Sequence, residues 1–131
     1  MHISARIQSA AGQLQPSVQT NGAAQTLSLL PKPTGEGSAV NGGELLLLAL
    51  ATCFCNDLYR EAAKRNLKLT SVTVECSAEF GAAGEPGTNF RYQAQATADA
   101  SAAEIEALIQ HTDRVAEIHN TLRRGVAITL T

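Results

Sequence analysis

The chain has 131 residues with 10 basic and 12 acidic side chains, a net charge of −2. That length suits one domain or one protomer, and that charge argues against nucleic acid or an anionic membrane as the main partner. Aromatic residues are only 4% and tryptophan is absent, so the core must be built from Ala, Leu, Val and Ile, and it is thin unless a second copy helps to bury it.

In chain order, residues 2–8 alternate, with Ile3, Ala5 and Ile7 on one face and polar side chains on the other, as expected of a half-buried strand. Residues 10–12 read as a turn, and residues 14–20 as a weaker strand that Pro16 would place at a sheet edge. Asn21-Gly22 is a strong hairpin signal, with a third strand at 25–30. Residues 31–43, rich in Pro and Gly, form the one long loop, either a plain connector or the border of a site.

Residues 41–67 are the stretch around which the chain is expected to be arranged. From Glu44 to Cys55 they are almost unbroken apolar residues, with charge only in the last turns. Helix propensity is high, Asn41 and Glu44 form a capping-box pattern, and Asn66 can close the helix in the left-handed conformation. A helix apolar on every side in its first half must be covered on every side. The apolar run is about a dozen residues where a bilayer span needs roughly 20, so a membrane reading fails.

Residues 70–80 place Val72, Val74, Cys76, Ala78 and Phe80 on one face, and residues 89–98 place Phe90, Tyr92, Ala94, Ala96 and Ala98 on another, so the two read as a long hairpin with one wet face. Ser101 and Glu104 make a capping box for a second helix with Ile105, Leu108 and Ile109 as its apolar stripe. The stripe loses phase near residues 111–113. A third helix over 113–124 is expected to turn Val115, Ile118 and Leu122 inward, with Gly125 ending it and a closing strand at 126–130. The order βββ-α-ββ-αα-β defines a single α+β domain spanning residues 1–131.

Three cysteines, Cys53, Cys55 and Cys76, in a chain whose first residues lack a basic-then-apolar leader, read as free thiols in a reducing cytoplasm. Nothing in the spacing points to a cofactor. The three histidines, His2, His111 and His119, show neither His-x3-His nor Cys-x2-Cys spacing, so no metal site is expected.

These residues resemble the OsmC/Ohr family of bacterial osmotically inducible and organic-hydroperoxide-resistance proteins. The likeness rests on Asn41-Gly42-Gly43-Glu44-Leu45 leading through small residues to Ala51-Thr52-Cys53, and on Asn120-Thr121-Leu122 before a terminal strand. The resemblance implies an intertwined homodimer in which antiparallel sheets wrap two central helices. It also implies a peroxidatic cysteine, a resolving cysteine, and an arginine and a glutamate that hold the first thiolate while an external thiol or lipoyl group regenerates it. By that resemblance Cys53 takes the peroxidatic position, Ala116 the resolving position and Gly43 the glutamate position. Arg6, the one arginine before the helix, is the nearest stand-in for the family's arginine.

Glu44 is a candidate for the missing carboxylate, although nine residues at about 100° each place it opposite Cys53 on the helix. Cys55 points about 200° from Cys53 and cannot easily resolve it. Asn56 and Asp57 share the Cys53 face; an asparagine there would donate a hydrogen bond and a charged aspartate would raise the thiol pKa. His119 is the candidate that could pair with Cys53 as thiolate and imidazolium; the bland reading is a capping or solvent-facing histidine. Three functions are open: a one-cysteine, thiol-dependent hydroperoxide reductase in oxidative-stress defence, a catalytically impaired dimer of this fold that binds a small hydrophobic or electrophilic ligand, or a purely structural or partner-binding module.

Overall fold

The structure is a computed structural model and describes all residues, 1–131. Its elements run β1 (Ile3–Ala10), β2 (Gln13–Thr20), β3 (Ala23–Thr26), α1 (Gly42–Lys64), β4 (Leu69–Glu79), β5 (Thr88–Ala98), α2 (Ala102–Val115) and α3 (Glu117–Arg124). This is an α+β fold with antiparallel sheets and three helices. The sequence reads as one domain; contacts within the chain fall into two compact units, Met1–Leu45 and Leu46–Thr131.

The first unit is a three-stranded antiparallel meander in the order β1-β2-β3. Both its turns hold two residues, and all four turn residues have positive φ: Ala11 at 52°, Gly12 at 72°, Asn21 at 48° and Gly22 at 85°. That handedness matches the strand twist, which is why Asn-Gly is favoured there. β2 is the central strand, so Pro16 does not mark an edge strand as its presence suggests. β3 is short, and its ladder reaches back only to Ser17, so Pro16 pairs with Ile7 on one side and needs no donor on the other. The third strand is earlier and shorter than the apolar residues near Leu27–Leu30 indicate. Ile3 and Ile7 are 60% and 56% exposed, so the apolar face of β1 is left largely uncovered. The 31–43 loop carries a small closed turn, with Lys32 N–H donating to the Gly37 carbonyl at 3.0 Å and Ala39 N–H to that of Leu30 at 2.9 Å.

Both ends of α1 follow their local chemistry. Glu44 N–H donates to Asn41 Oδ1 at 2.9 Å and Asn41 N–H donates to Glu44 Oε2 at 2.8 Å, a complete capping box. At the other end Asn66 has φ 55°, and Leu67 N–H donates to the Ala62 carbonyl at 2.9 Å. That six-residue closure satisfies a carbonyl the helix leaves free.

In the second unit α1, α2 and α3 lie over one face of the β4–β5 hairpin. Phe54, Leu58 and Ala62 of α1, Leu69, Leu108 and Ala116 form the buried core, with Val72, Val74, Tyr92, Ala94 and Ala96 packed against it. Register pairs Val72 with Ala96, Val74 with Ala94 and Cys76 with Tyr92, so the alternation read from the sequence is the alternation of burial. Phe80 and Phe90, at the loop end of the hairpin, are instead 53% and 42% exposed. The helix is not covered on every side within this chain: Leu48 is 60% and Tyr59 46% exposed, and Thr52 between them is exposed too.

Helix α2 opens on the expected capping box, Ser101 with Glu104. It runs on to Val115, past the place where the apolar stripe falters, and the chain breaks at Ala116 in extended conformation (φ −70°, ψ 110°). The break resets the helical phase. α3 therefore turns His119 into the core, while Ile118 and Leu122, expected inward, are 38% and 40% exposed. Residues 126–130 form no strand in this chain, and their alternating Val126, Ile128 and Leu130 are 55%, 95% and 100% exposed. A strand needs a partner ladder, and nothing in this chain supplies one to that segment. No helix is long and apolar enough to cross a membrane.

Candidate functional site

Cys53 lies midway along α1, half-buried, and donates its S–H to Asp57 Oδ2 at 3.3 Å one turn further on. Asp57 is itself buried, and Arg60 Nη1 meets its other oxygen at 2.9 Å. The same Nη1 reaches Glu117 Oε1 at 3.1 Å, at the start of α3 beside the Ala116 break. One stripe of a single helix (residues 53, 57 and 60) thus meets one carboxylate from another helix, with a guanidinium between the two carboxylates.

The electrostatics keep the thiol protonated. Burial raises the Cys53 pKa above its ordinary range; the Ile118 backbone pulls it down, while Asp57, through its hydrogen bond and its charge, and Glu117 push it up. Burial also raises Asp57, against the thiol and Arg60, whereas Glu117 is lowered by its backbone hydrogen bond and by Arg60. Of the two carboxylates, Asp57 is the one inclined to accept a proton, and it is the one touching the sulfur.

Donor atoms of Cys53, Asp57 and Glu117 lie within 4.8 Å of one another, which is a three-ligand geometry. Arg60 already pairs with both carboxylates, so a cation would have to displace it and deprotonate a thiol whose pKa is raised. The arrangement suits an ion-paired thiol better than a metal.

The other residues singled out from the sequence lie elsewhere. His119 does not pair with Cys53. It is 5% exposed, its ring tilted 4.6 Å from the Tyr92 ring and 5.4 Å from Phe54, and neither ring nitrogen has a hydrogen-bond partner. Burial, then Arg123, lower its pKa against a smaller pull from Asp113, so it is neutral at physiological pH. The phase reset at Ala116 is the reason: it aims His119 at the Phe54 side of α1 rather than at the Cys53 side. Glu44 spends its carboxylate on the helix cap. Arg6 donates to Gln8 at 2.6 Å within its own strand. Asn56 is exposed and makes no bond to the sulfur, and Cys55 and Cys76 are free thiols.

Arg60 and Glu117 are the residues that sequence reasoning missed. Arg60 had a signal, since it falls seven residues after Cys53 and three after Asp57 on one helical stripe. Glu117 had none, because only the α2–α3 break brings it to α1.

A half-buried thiol hydrogen-bonded to a carboxylate, on a central helix set against an antiparallel hairpin, defines an α+β protein organised around one candidate cysteine. The family profile described as "OsmC-like protein" matches residues 35–131. The chain belongs to the OsmC-like family. Solved structures share the fold. An OsmC-like protein of Mycoplasma pneumoniae is 19% identical with a TM-score of 0.62, the match covering 93% of this chain and 86% of that one. An organic hydroperoxide resistance protein OsmC of Legionella pneumophila is 23% identical with a TM-score of 0.58, covering 92% and 89%. An OsmC-like protein of unknown function from Vibrio cholerae is 17% identical with a TM-score of 0.62, covering 92% of each. No curated protein matches the chain at a significant level.

Proposed function

We propose that this protein is a thiol-dependent hydroperoxide reductase that works with one cysteine, in defence against oxidative stress. The observation carrying this reading is the Cys53 S–H donated to buried Asp57 at 3.3 Å, on the helix at the centre of an OsmC-like fold. The name of the Legionella relative, an organic hydroperoxide resistance protein, supports the substrate class.

In this reading Cys53 Sγ attacks the distal oxygen of an organic hydroperoxide. A sulfur–oxygen bond forms as the peroxide bond breaks, and the thiol proton passes through Asp57 to the departing alkoxide, releasing an alcohol. Cysteine sulfenic acid remains. By the resemblance, buried Ala116 falls on the family's resolving position, so in this reading an external thiol attacks instead, releasing water and leaving a mixed disulfide. A second thiol then restores Cys53 and carries off the disulfide. Arg60 holds the two carboxylates in place while the proton moves. Three free thiols and this cycle both fit a reducing compartment such as the cytoplasm.

The uncovered apolar side chains, Leu48 on α1, Ile3 and Ile7 on β1, and Ile128 and Leu130 in the tail, support a homodimer that covers them. A monodisperse monomer by light scattering at micromolar concentration overturns that part. Turnover of cumene hydroperoxide with dithiothreitol, wild type against Cys53→Ser, tests the chemistry. Activity lost in the variant, together with dimedone labelling of Cys53 in the wild type, is the expected result. Equal, negligible turnover in both ends the reductase reading and leaves a ligand-binding protein of this fold.

A further inference from the structure

The cation beside Cys53 is Arg60, and it is already shared three ways. Its guanidinium meets Asp57 at 2.9 Å, Glu61 at 2.9 Å and Glu117 at 3.1 Å. Glu61 has a second cation in Lys64 at 2.9 Å, and His111 at 3.1 Å adds charge there only when protonated. Three carboxylates thus share two full cations, and Asp57 and Glu117, the two that lie with the Cys53 sulfur inside 4.8 Å, have only Arg60 between them. The first turn of α3 carries a partial positive charge of about half a unit, which offsets this excess without cancelling it. Glu117 stays ionised, its carboxyl held down by its own backbone N–H and by Arg60. Its side chain is 63% exposed against 6% for Asp57, so it is the carboxylate that a molecule arriving at the sulfur can touch.

We propose that the external thiol which regenerates Cys53 is a small aminothiol, its ammonium group received by Glu117, and that acidic thiols are turned away. This rests on the one-cysteine reductase reading above and names the reductant. An anionic thiol meets two carboxylates at the sulfur and a guanidinium they already hold, so like-charge repulsion slows its approach. An ammonium group two carbons from the attacking sulfur meets an exposed carboxylate instead. Exposed ion pairs such as Arg60–Glu117 are weak, so Glu117 can share its charge with a second cation at little cost. In the first step the aminothiol sulfur bonds to the sulfenic sulfur of Cys53, and the hydroxyl leaves as water with the thiol proton. In the second, another aminothiol attacks the sulfur of the attached one. An aminothiol disulfide departs, and the proton of the second thiol returns to Cys53.

The first measurement uses no peroxide, so it does not depend on reductase activity. Reduced full-length protein is mixed at about pH 8, above the ordinary histidine range, with cystamine, hydroxyethyl disulfide or dithiodiglycolate. Each transfers one half to Cys53 by thiol–disulfide exchange, carrying a positive, neutral or negative group. Fragment-ion mass spectrometry separates the product at Cys53 from those at Cys55 and Cys76. Each rate is divided by that of the same disulfide with N-acetylcysteinamide, which removes intrinsic reactivity. Cystamine should then exceed dithiodiglycolate by about tenfold, and Glu117→Gln should shrink that ratio to about threefold. A change of thiol acidity in the variant cancels in the ratio. A ratio near one, a ratio favouring the anion, a ratio that Glu117→Gln leaves unchanged, or no reaction at Cys53 overturns the proposal. Turnover of cumene hydroperoxide is followed separately with cysteamine, mercaptoethanol and mercaptoacetate. The same order of charge is expected, and an order led by mercaptoacetate overturns the proposal. The charge order in exchange together with no turnover from any of the three thiols removes the reductase reading and leaves charge selection at Cys53 standing.

Discussion

Replacing Phe54 by alanine tests the core of the second unit and the reading of His119 together. Phe54 is fully buried, with its ring 4.9 Å from that of Tyr92 in an edge-on arrangement and 5.4 Å from that of His119. Removing a phenyl ring withdraws on the order of 150 Å² of apolar surface, which at about 25 cal/mol per Å² is roughly 4 kcal/mol. Measured Phe→Ala changes in cores cost about 3–5 kcal/mol. Here the new cavity adjoins two unpartnered ring nitrogens, so a water entering it gains partners that a dry cavity lacks. The expected loss is therefore near the lower end, about 3 kcal/mol. A chain of 131 residues has a total stability of about 7–20 kcal/mol at ~0.05–0.15 kcal/mol per residue. The variant should still fold and unfold at a clearly lower urea midpoint with an unchanged slope. Lys68→Ala, at an exposed side chain with no hydrogen bond or ion pair, is the control and should cost less than about 0.5 kcal/mol. A Phe54→Ala loss below about 1 kcal/mol, or no larger than that of Lys68→Ala, refutes the packing described.

Three further substitutions test the electrostatics and the backbone. Asp57→Asn removes a charge and a hydrogen bond that raise the Cys53 pKa and frees Arg60, so the pH profile of Cys53 alkylation by iodoacetamide should move to lower pH, read by peptide mass spectrometry; a shift upward contradicts the assignment. The same substitution should slow peroxide turnover despite the more acidic thiol, since it removes the proton acceptor. The Glu61 carboxyl is held down from 4.5 to about 2 by Lys64, Arg60 and His111, so its stabilisation is complete above about pH 4.5 and is lost as pH falls toward about 2. Urea midpoints of Glu61→Gln should fall less than those of wild type across that window; parallel curves remove the linkage. Ala11 sits at φ 52° in a tight turn, a conformation costing a residue with a β-carbon about 1 kcal/mol, so Ala11→Gly should raise the stability of that hairpin by a similar amount, seen as slower amide exchange in β1 and β2.

The elements whose signals are local were legible. The Asn41–Glu44 and Ser101–Glu104 caps, the Asn21-Gly22 turn, the Asn66 stop and the two-residue alternation of β4 and β5 all depend on atoms within a few residues of one another, or on one pairing partner. The site was legible only in part. Cys53 and Asp57 share a helix face by arithmetic alone, and so does Arg60.

What the sequence by itself determined was the α+β order, the ends of α1, the OsmC-like likeness and the stripe that carries the thiol. What only the tertiary structure decided was which side of that helix each later residue meets. One extended residue, Ala116, interrupts a helical period that otherwise looks nearly continuous, and it turns Glu117 toward Cys53 and His119 toward Phe54. A helix advances by about 100° per residue, so a single break reassigns every side chain after it. No spacing rule written for an unbroken helix can place them.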